Sequence, residues 1–409
     1  MDGHKVYRKP YIRRSCRTVL AKPRKRVVLY FSQWGTPMYT HEKVTLAKVA
    51  ETIAELTGCE FDGEYDPVRH SSGSIYLVPD DTLMQDEALH LGIRSRTALY
   101  GGVVPYPFVK TKVITHDLVF PTAIKPKGWS YVFAHMARDV VLPGYSVFDA
   151  DDARIAGKRL LSRGAVRLKE PLGDGGYGQT VVTMLRELDA FLESFSLQKL
   201  EETGLVLETN LSPLITRSVG HITTCGETVA YYGTQRTVSN NKGQLVYGGS
   251  RLVCVRGGWD TLESLPMDPA IRLAVAQARL YDRAAGSYPG FFASRRNYDV
   301  GQGLDGQGRW RSGVFEASWR SGGASTAELA AFAAFARDPT LQVVEASAVK
   351  EFGKPFEVPG DAIVHFQDHD PKDGPILRYT VVTHGSDIAA NLPHLGASDP
   401  TFQEAHQEF

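Results

Sequence analysis

A glycine-rich loop in the sequence LKEPLGDGGYGQT, residues 168–180, has the composition of a phosphate-binding segment. Its backbone is free to present N–H groups to an anion because it holds four glycines, Gly173, Gly175, Gly176 and Gly178. Lys169, just upstream, supplies a cation. The loop is therefore predicted to cradle phosphate.

Three of these glycines also match the Gly-x-Gly-x-x-Gly pattern of dinucleotide-binding loops. That motif runs from an apolar strand directly into a helix, whose first turn meets the pyrophosphate. Here the preceding strand holds Arg167 and Lys169, Glu170-Pro171 follows it, and the segment after the loop is β-branched like a strand. The pattern favours a flap between two strands, with a dinucleotide loop and a plain glycine-rich turn as the alternatives.

A second group of polar residues lies on two predicted strands, RRNYDVGQG and VFEASWRS. Alternate residues of a strand share a face, so each strand presents three polar side chains together. They are Arg295, Asn297 and Asp299 on the first strand and Glu316, Ser318 and Arg320 on the second. A turn at residues 305–308 would bring both sets to one face of a sheet. Two carboxylates flanked by arginines suit Mg²⁺ that also holds phosphate oxygens; the alternative is an exposed face with ordinary cross-strand ion pairs.

The elements that position these groups fall into three parts. Residues 27–108 alternate strands and helices and predict a small open α/β domain. Residues 109–164 are predicted to be rich in helix, and strands dominate from residue 165, including the long pair 295–303 and 311–320. Two further strands are expected within residues 340–409.

The composition excludes several classes of protein. The 409 residues include 46 Lys and Arg and 46 Asp and Glu, so no overall field favours nucleic acid. No apolar run reaches the length of about 18 residues that a membrane span needs, and no apolar signal core precedes the first strand, so we expect a cytoplasmic protein. The four cysteines are far apart and are expected to be free thiols. Residues 1–26 hold ten Lys and Arg and are expected to form a flexible basic leader.

The order of these features resembles the ATP-grasp superfamily over roughly residues 27–335, and the whole chain resembles a bacterial family of unassigned function with that core. The resemblance implies a mixed α/β and α+β chain with an ATP-grasp fold. Its expected parts are the leader, a pre-ATP-grasp domain at 27–108, an ATP-grasp domain of two subdomains at 109–335 and a C-terminal extension at 336–409.

The resemblance also implies residue roles. Lys112 and Lys169 match the two phosphate-binding lysines, and the flap glycines cover the phosphates. Other cofactor-binding residues are expected in LVLETNL, with Val206 and Leu207 at the adenine edge and Glu208 near the ribose. Asp299, Glu316 and Ser318 are the expected metal ligands. Ser318 and Asn297 stand where the family usually has asparagine and arginine.

Taken together, the resemblance implies a carboxylate–amine ligase that uses ATP and Mg²⁺ and forms an acyl phosphate. Lys169, Arg295 and Arg320 are the expected catalytic residues, with the two arginines holding the acyl phosphate or the substrate carboxylate. Small-molecule carboxylates and amines are the expected partners, with no nucleic acid and no membrane, and a homodimer is left open. A phosphotransferase on the same fold and a non-catalytic nucleotide-binding protein are the alternatives.

Overall fold

The computed structural model describes residues 25–33, 35, 38–70, 74–173, 177–224 and 226–383. Residues 1–24 of the expected basic leader, Cys16, Cys225 and the flap residues Gly175 and Gly176 lie outside these ranges, and Arg26, the last residue of that leader, begins a strand. Cys59 and Cys254 are free thiols, as predicted. In the part of the chain that the structure covers, no helix has both the length and the apolar character required to span a bilayer.

The N-terminal unit is an open α/β layer, as the alternating pattern predicted. Its parallel sheet has the order β2-β1-β3, and the long helix packs its apolar stripe against β1. That helix ends at Gly58, whose φ of 63° is the left-handed conformation that glycine favours. The elements are β1 (Arg26–Tyr30), α1 (Thr40–Thr57), β2 (Glu60–Glu64), β3 (Ile75–Pro79), β4 (Leu83–Met84), α2 (Gln85–His90) and β5 (Gly102–Val104).

The next segment begins with short single-turn helices and then forms a small sheet covered by helices. One 3₁₀ turn, Arg96–Ala98, lies in the preceding unit. Three more lie in this segment, at Pro107–Lys110, Lys112–Ile114 and Arg138–Val140. The sheet has the order β6-β9-β7-β8 and all of its pairs are antiparallel. Its elements are α3 (Tyr131–Ala137), β6 (Gly144–Val147), α4 (Ala150–Leu161), β7 (Val166–Lys169), β8 (Gln179–Val182), α5 (Leu185–Ser194), α6 (Leu197–Thr203) and β9 (Leu205–Thr209).

Except for β13, which pairs with β5 of the N-terminal unit, the remaining strands build one large antiparallel sheet with the order β15-β14-β10-β11-β12-β16-β18-β17. The long hairpin predicted at 295–320 is confirmed as β14 and β15, and its turn contains Gly308 at φ 72°. The elements are β10 (Leu214–Thr224), β11 (Glu227–Ser239), β12 (Leu245–Arg256), α7 (Trp259–Ser264), α8 (Pro269–Ala285), β13 (Phe292–Ala293), β14 (Arg295–Leu304), β15 (Trp310–Ser318), α9 (Ser325–Arg337), β16 (Val343–Phe352), β17 (Ile363–Asp370) and β18 (Gly374–Thr383).

The C-terminal strands are part of this large sheet. Two strands were predicted after residue 340, and the structure adds β16, which pairs with β12 and connects the β17–β18 hairpin to the sheet. One apolar core joins α1 to α9 and to β11, β12 and β16. The N-terminal unit is thereby packed against the large sheet, and its strand ends face the same space as the β14–β15 hairpin. The predicted mixture of α/β and α+β parts, with an open α/β unit before the large sheet, is confirmed.

Candidate functional site

A cleft with a volume of about 590 Å³ is lined by the small sheet, the large sheet and the N-terminal unit. The small sheet contributes residues of β7, β8 and the end of β9, and the large sheet contributes β10–β12, β14–β16 and β18. The start of α1 and the end of β3 lie on the remaining side. Most of the predicted site residues that the structure describes line this cleft or contact a residue that does.

The two predicted metal carboxylates are direct neighbours across the β14–β15 ladder. Asp299 is paired with Glu316 and Asn297 with Ser318, as the alternation of the two strands predicted. A bulge after Asp299 leaves Phe315 as an extra residue on β15, so Phe315 and Glu316 both line the cleft. This bulge shifts the register by one residue, and the shift brings Glu316 opposite Asp299.

Asp299 is held by neutral donors. Asn297 Nδ2 donates a hydrogen bond to Asp299 Oδ1 at 2.9 Å, and Ser218 Oγ donates to the same oxygen at 3.3 Å. Burial, and then the negative charge of Glu316, raise the pKa of Asp299 to about 6. A cation between the two carboxylates would relieve both effects.

Lys112 connects one of these carboxylates to the flap. Its Nζ lies 3.2 Å from Glu316 Oε1, and it also donates a hydrogen bond to the carbonyl oxygen of Gly173. Lys112 begins a single 3₁₀ turn, in which Thr111 Oγ1 accepts a hydrogen bond from the Val113 amide. The side chain of Lys112 is 5% exposed, so its charge is directed into the protein and not to solvent.

Lys169 is held in a second buried ion pair. Its Nζ contacts Glu208 Oε1 and lies 3.9 Å from the centre of the Phe315 ring. His116 Nε2 is 3.0 Å from the other oxygen of Glu208. Burial opposes the charge of Glu208, but Lys169 and His116 together lower its pKa below the ordinary value. Glu208 therefore remains a carboxylate and keeps Lys169 at the cleft wall.

The glycine-rich loop joins two antiparallel strands, as the flap prediction required. Lys169 is paired with Gln179, and the Glu170 amide donates a hydrogen bond to the Gly178 carbonyl oxygen at 2.9 Å. Gly178 has a φ of 69°, and a Cβ on Gly173 would lie 2.4 Å from the carbonyl oxygen of Tyr177. No helix follows the loop directly, so its geometry differs from that of a dinucleotide-binding turn.

The predicted adenine edge requires a correction. Val206 and Leu207 are completely buried, because β9 is an inner strand whose ladders with β6 and β7 use both of its edges. Glu208 contacts Lys169, and it lines the cleft together with Thr209 and Leu211.

Arg295 also differs from its prediction. Its guanidinium donates to both oxygens of Glu328, at 3.0 and 2.7 Å, and to the carbonyl oxygen of Arg320 at 2.6 Å. Tyr100 and Tyr231 donate to the same carboxylate, and the Arg295 and Glu328 side chains are 1% and 0% exposed. A buried guanidinium needs a partner, and α9 supplies it. Arg295 is therefore held as a support of the cleft wall, which it lines together with Ser318 and Arg320.

Several residues of the cleft were not identified from the sequence. Asp80, at the end of β3, accepts a hydrogen bond from the Ser32 amide at 2.8 Å, and burial raises its pKa to about 6. Lys350 and Arg378 come from the segment that was predicted as an extension. These residues reach the cleft because strands that are distant in sequence pair with each other, and no local sequence pattern predicts that pairing.

The donor set fits Mg²⁺ shared with phosphate better than a metal held by protein alone. Among the residues that the structure describes, no group of three or more His, Cys, Asp or Glu side chains could hold a metal ion. Asp299 and Glu316 supply hard oxygen ligands on adjacent strands, and Mg²⁺ sites commonly combine one or two carboxylates with substrate phosphates. Burial and the neighbouring Glu316 disfavour the charge of Asp299, and a divalent cation held by both carboxylates would favour that charge.

Comparison with known proteins gives a family and a set of distant structures. The model of the family described as "Protein of unknown function (DUF3182)" matches residues 31–380. No curated protein matches the sequence significantly.

Solved structures that resemble this chain include a ligase and two synthetases. Phosphoribosylamine–glycine ligase from Thermotoga maritima has a TM-score of 0.49 at 13% identity, covering 91% of this chain and 96% of its own. N5-carboxyaminoimidazole synthetase from Staphylococcus aureus, complexed with ADP, has a TM-score of 0.45 at 12% identity, covering 89% and 95%. D-alanyl-alanine synthetase A from Vibrio cholerae has a TM-score of 0.38 at 11% identity, covering 72% and 89%.

Proposed function

This chain belongs to the DUF3182 family, and we propose that it is an ATP- and Mg²⁺-dependent carboxylate–amine ligase. One observation carries the proposal. Lys112 contacts Glu316 and the carbonyl oxygen of Gly173 at once, so a cation, a hard-oxygen ligand and the base of the flap come together from three distant segments. Phosphoryl transfer depends on such positioned charges more than on covalent participation of the protein.

The triphosphate would lie between the flap and the β14–β15 hairpin. Lys112 and Lys169 neutralise its α- and β-phosphates, and both side chains are nearly inaccessible to solvent, which strengthens their interactions. Their charges are compensated by Glu316 and Glu208. Asp299 and Glu316 would hold Mg²⁺, which would supply positive charge against the charge that develops during transfer.

The first step activates the acid. An oxygen of the substrate carboxylate attacks the γ-phosphorus, the bond from that phosphorus to the β–γ bridging oxygen breaks, and ADP and an acyl phosphate are formed. Arg320 lines the cleft and would hold the acyl phosphate, because a guanidinium binds such groups through two parallel hydrogen bonds. Arg295 supports this arrangement by donating to the Arg320 carbonyl oxygen.

The second step forms the amide. The amine nitrogen attacks the acyl carbon, the bond from that carbon to the phosphoryl oxygen breaks, and inorganic phosphate and a proton are released. Asp80 is a candidate acceptor for that proton, since its carboxyl group lines the cleft and its pKa of about 6 is close to the working range of a general base. The flap protects the acyl phosphate from water.

The first experiment measures nucleotide binding by calorimetry, with AMP-PNP titrated into the protein in MgCl₂ or in EDTA. We expect binding that requires Mg²⁺ and that weakens at least tenfold, about 1.4 kcal/mol, in Asp299→Asn. Asp361→Asn is the matched control, since Asp361 is exposed and lies outside the cleft. If the affinity for AMP-PNP does not depend on Mg²⁺ and is unchanged in Asp299→Asn, the proposed nucleotide site is wrong.

The second experiment follows products by ³¹P NMR while the protein is supplied with ATP, Mg²⁺ and a panel of acids and amines. A ligase releases ADP and free phosphate in equal amounts and forms an amide. A lasting phosphorylated product without free phosphate would assign a phosphotransferase instead. Thermal stabilisation by ATP without turnover on any acid of the panel would assign a nucleotide-binding protein without catalysis.

A further inference from the structure

Two cations of the C-terminal strands, Lys350 on β16 and Arg378 on β18, lie directly opposite each other in the ladder. Both line the cleft together with Tyr247 and Gly323. Like charges at directly opposed positions of a sheet are destabilising, so such a pair calls for an explanation.

These cations occupy the core-facing side of their strands. Ala346 and Ala348 precede Lys350 on the same face of β16 and belong to the apolar core with α1 and α9. On β18, Thr380 shares the face of Arg378 and donates a hydrogen bond to Thr326 of α9 at 2.9 Å. Lys350 and Arg378 therefore project on the inner side of the sheet, where the core ends and the cleft begins.

The nearby carboxylates leave this pair incompletely neutralised. Asp373 Oδ2 is 4.0 Å from Lys350 Nζ, at the limit of an ion pair. Glu42 accepts a hydrogen bond from the Tyr39 amide at 2.9 Å, as part of the cap of α1. Within the described ranges of the chain, no hydrogen bond or ion pair holds the Arg378 side chain. Burial, and then Arg378, lower the pKa of Lys350 to about 8.

We propose that Lys350 and Arg378 bind a second anionic group of the acid substrate, a carboxylate or a phosphate, that is not the group activated by ATP. The inference rests on the proposed ligase function and narrows its substrate to a class of dianionic acids. Arg378 supplies the planar fork that matches either anion bidentately, and Lys350 supplies a point charge beside it. The anion offsets the repulsion between the two cations, so binding and relief of that repulsion act in the same direction.

The test uses the full chain saturated with Mg²⁺ and AMP-PNP, so that the triphosphate site is filled. Glutarate, 3-phosphonopropionate and butyrate are then titrated by calorimetry. We expect both dianionic probes to bind at least tenfold more tightly than butyrate. The tighter of the two identifies whether the subsite prefers carboxylate or phosphate.

Variants assign the preference to these residues. Arg378→Met and Lys350→Met are expected to abolish the difference between the dianionic probes and butyrate, and Arg378→Lys to reduce it. Lys372→Met is the matched control, because Lys372 is an exposed cation of the same hairpin that does not line the cleft. Loss of either cation removes a repulsion, so we expect the melting temperature of each variant to stay within a few degrees of the parent.

The outcomes separate this inference from the proposed function. If AMP-PNP binds but the dianionic probes bind no more tightly than butyrate, the subsite is refuted and the ligase proposal survives. The same conclusion follows if Arg378→Met keeps the full preference. If AMP-PNP itself does not bind, the proposed function fails and the inference fails with it.

Discussion

Asp299 and Glu316 are paired directly across β14 and β15, and Lys112 compensates only the second of them. Asp299 receives hydrogen bonds from Asn297 and Ser218, which are neutral groups. The ligand-free cleft thus keeps one carboxylate whose charge is disfavoured by burial and by its neighbour. This relationship makes the stability of the protein sensitive to pH and to Mg²⁺.

The first prediction concerns that pH dependence. The pKa of Asp299 is raised to about 6 from an ordinary value of 3.8, so its favourable contribution is complete below pH 3.8 and is lost as the pH rises through 6. Without Mg²⁺, the difference in free energy of unfolding between Asp299→Asn and the parent should therefore depend on pH. It should be about 1–3 kcal/mol more favourable to the variant at pH 7.5 than at pH 4. Denaturant unfolding at the two pH values measures the difference.

Mg²⁺ with AMP-PNP should reverse this order, because the cation compensates both carboxylates in the parent and only one in the variant. The parent is then expected to be the more stable of the two at pH 7.5. A pH-independent difference between parent and variant would show that the Asp299 carboxylate is not perturbed in the folded protein.

The second prediction concerns Lys169. Its removal leaves Glu208 as a buried carboxylate with His116 as its remaining partner, and an uncompensated buried charge costs about 3–5 kcal/mol. Lys169→Met should therefore lose nucleotide binding and much of its stability. The double variant Lys169→Met/Glu208→Gln should recover at least half of the lost stability but none of the nucleotide binding. Urea unfolding and AMP-PNP calorimetry on the same samples separate the two effects.

The double variant decides between a structural and a functional lysine. Recovery of both stability and binding would mean that Lys169 serves only to neutralise Glu208. Failure of both to recover would mean that Glu208 is required in its own right, and the ion pair would then not explain the lost stability.

The sequence predicted the β14–β15 hairpin correctly because its information is local. Alternation groups the polar side chains along each strand, and the turn at Asp305 and Gly308 joins the strands. The register that pairs Asp299 with Glu316 comes from the bulge at Phe315, which the sequence did not predict. The flap hairpin was predictable for the same reason, since Gly178 and the strand-like residues beside it are close in sequence. Chemistry that depends on one hairpin can be inferred from one sequence.

The sequence could not predict the roles of residues whose surroundings are built by strands and helices distant in the chain. Nothing near Val206 indicates that β6 and β7 both pair with its strand and withdraw its backbone from the cleft. The sequence does not indicate that Glu328, about thirty positions away, is the partner of Arg295. The contact exists because α9 packs against the sheet. Lys350 and Arg378 belong to a sheet whose order is not sequential. In each case tertiary pairing decides which polar groups remain for a ligand.

The third prediction separates the two arginines. Arg295→Met leaves Glu328 buried without its cation and should destabilise the protein by about 3–5 kcal/mol. Arg320→Met changes a residue that is only partly buried, and should cost less than about 1 kcal/mol while lowering ligase turnover about 100-fold or more. Chemical unfolding measures the stability of each variant, and the rate of ADP formation measures its turnover.

Arg295→Met/Glu328→Leu is the control, and it is expected to regain stability. Equal loss of turnover with unchanged stability in both single variants would restore a direct catalytic role to Arg295.

The fourth prediction concerns the base of the flap. Gly178 has a φ of 69°, and an alanine there costs about 1–2 kcal/mol of local strain. Its Cβ would also lie 3.2 Å from Glu170 Cβ and 3.4 Å from Gly173 Cα, which disturbs the closure of the hairpin over the phosphates. Gly178→Ala should therefore lower turnover at least tenfold. Gly58→Ala, with a φ of 63° and no atom within 4 Å of its Cβ, carries the same strain far from the cleft. The melting temperatures of the two variants should fall by equal amounts, while the steady-state rate should fall in Gly178→Ala alone. Equal turnover in the two variants would show that the flap has no part in the mechanism.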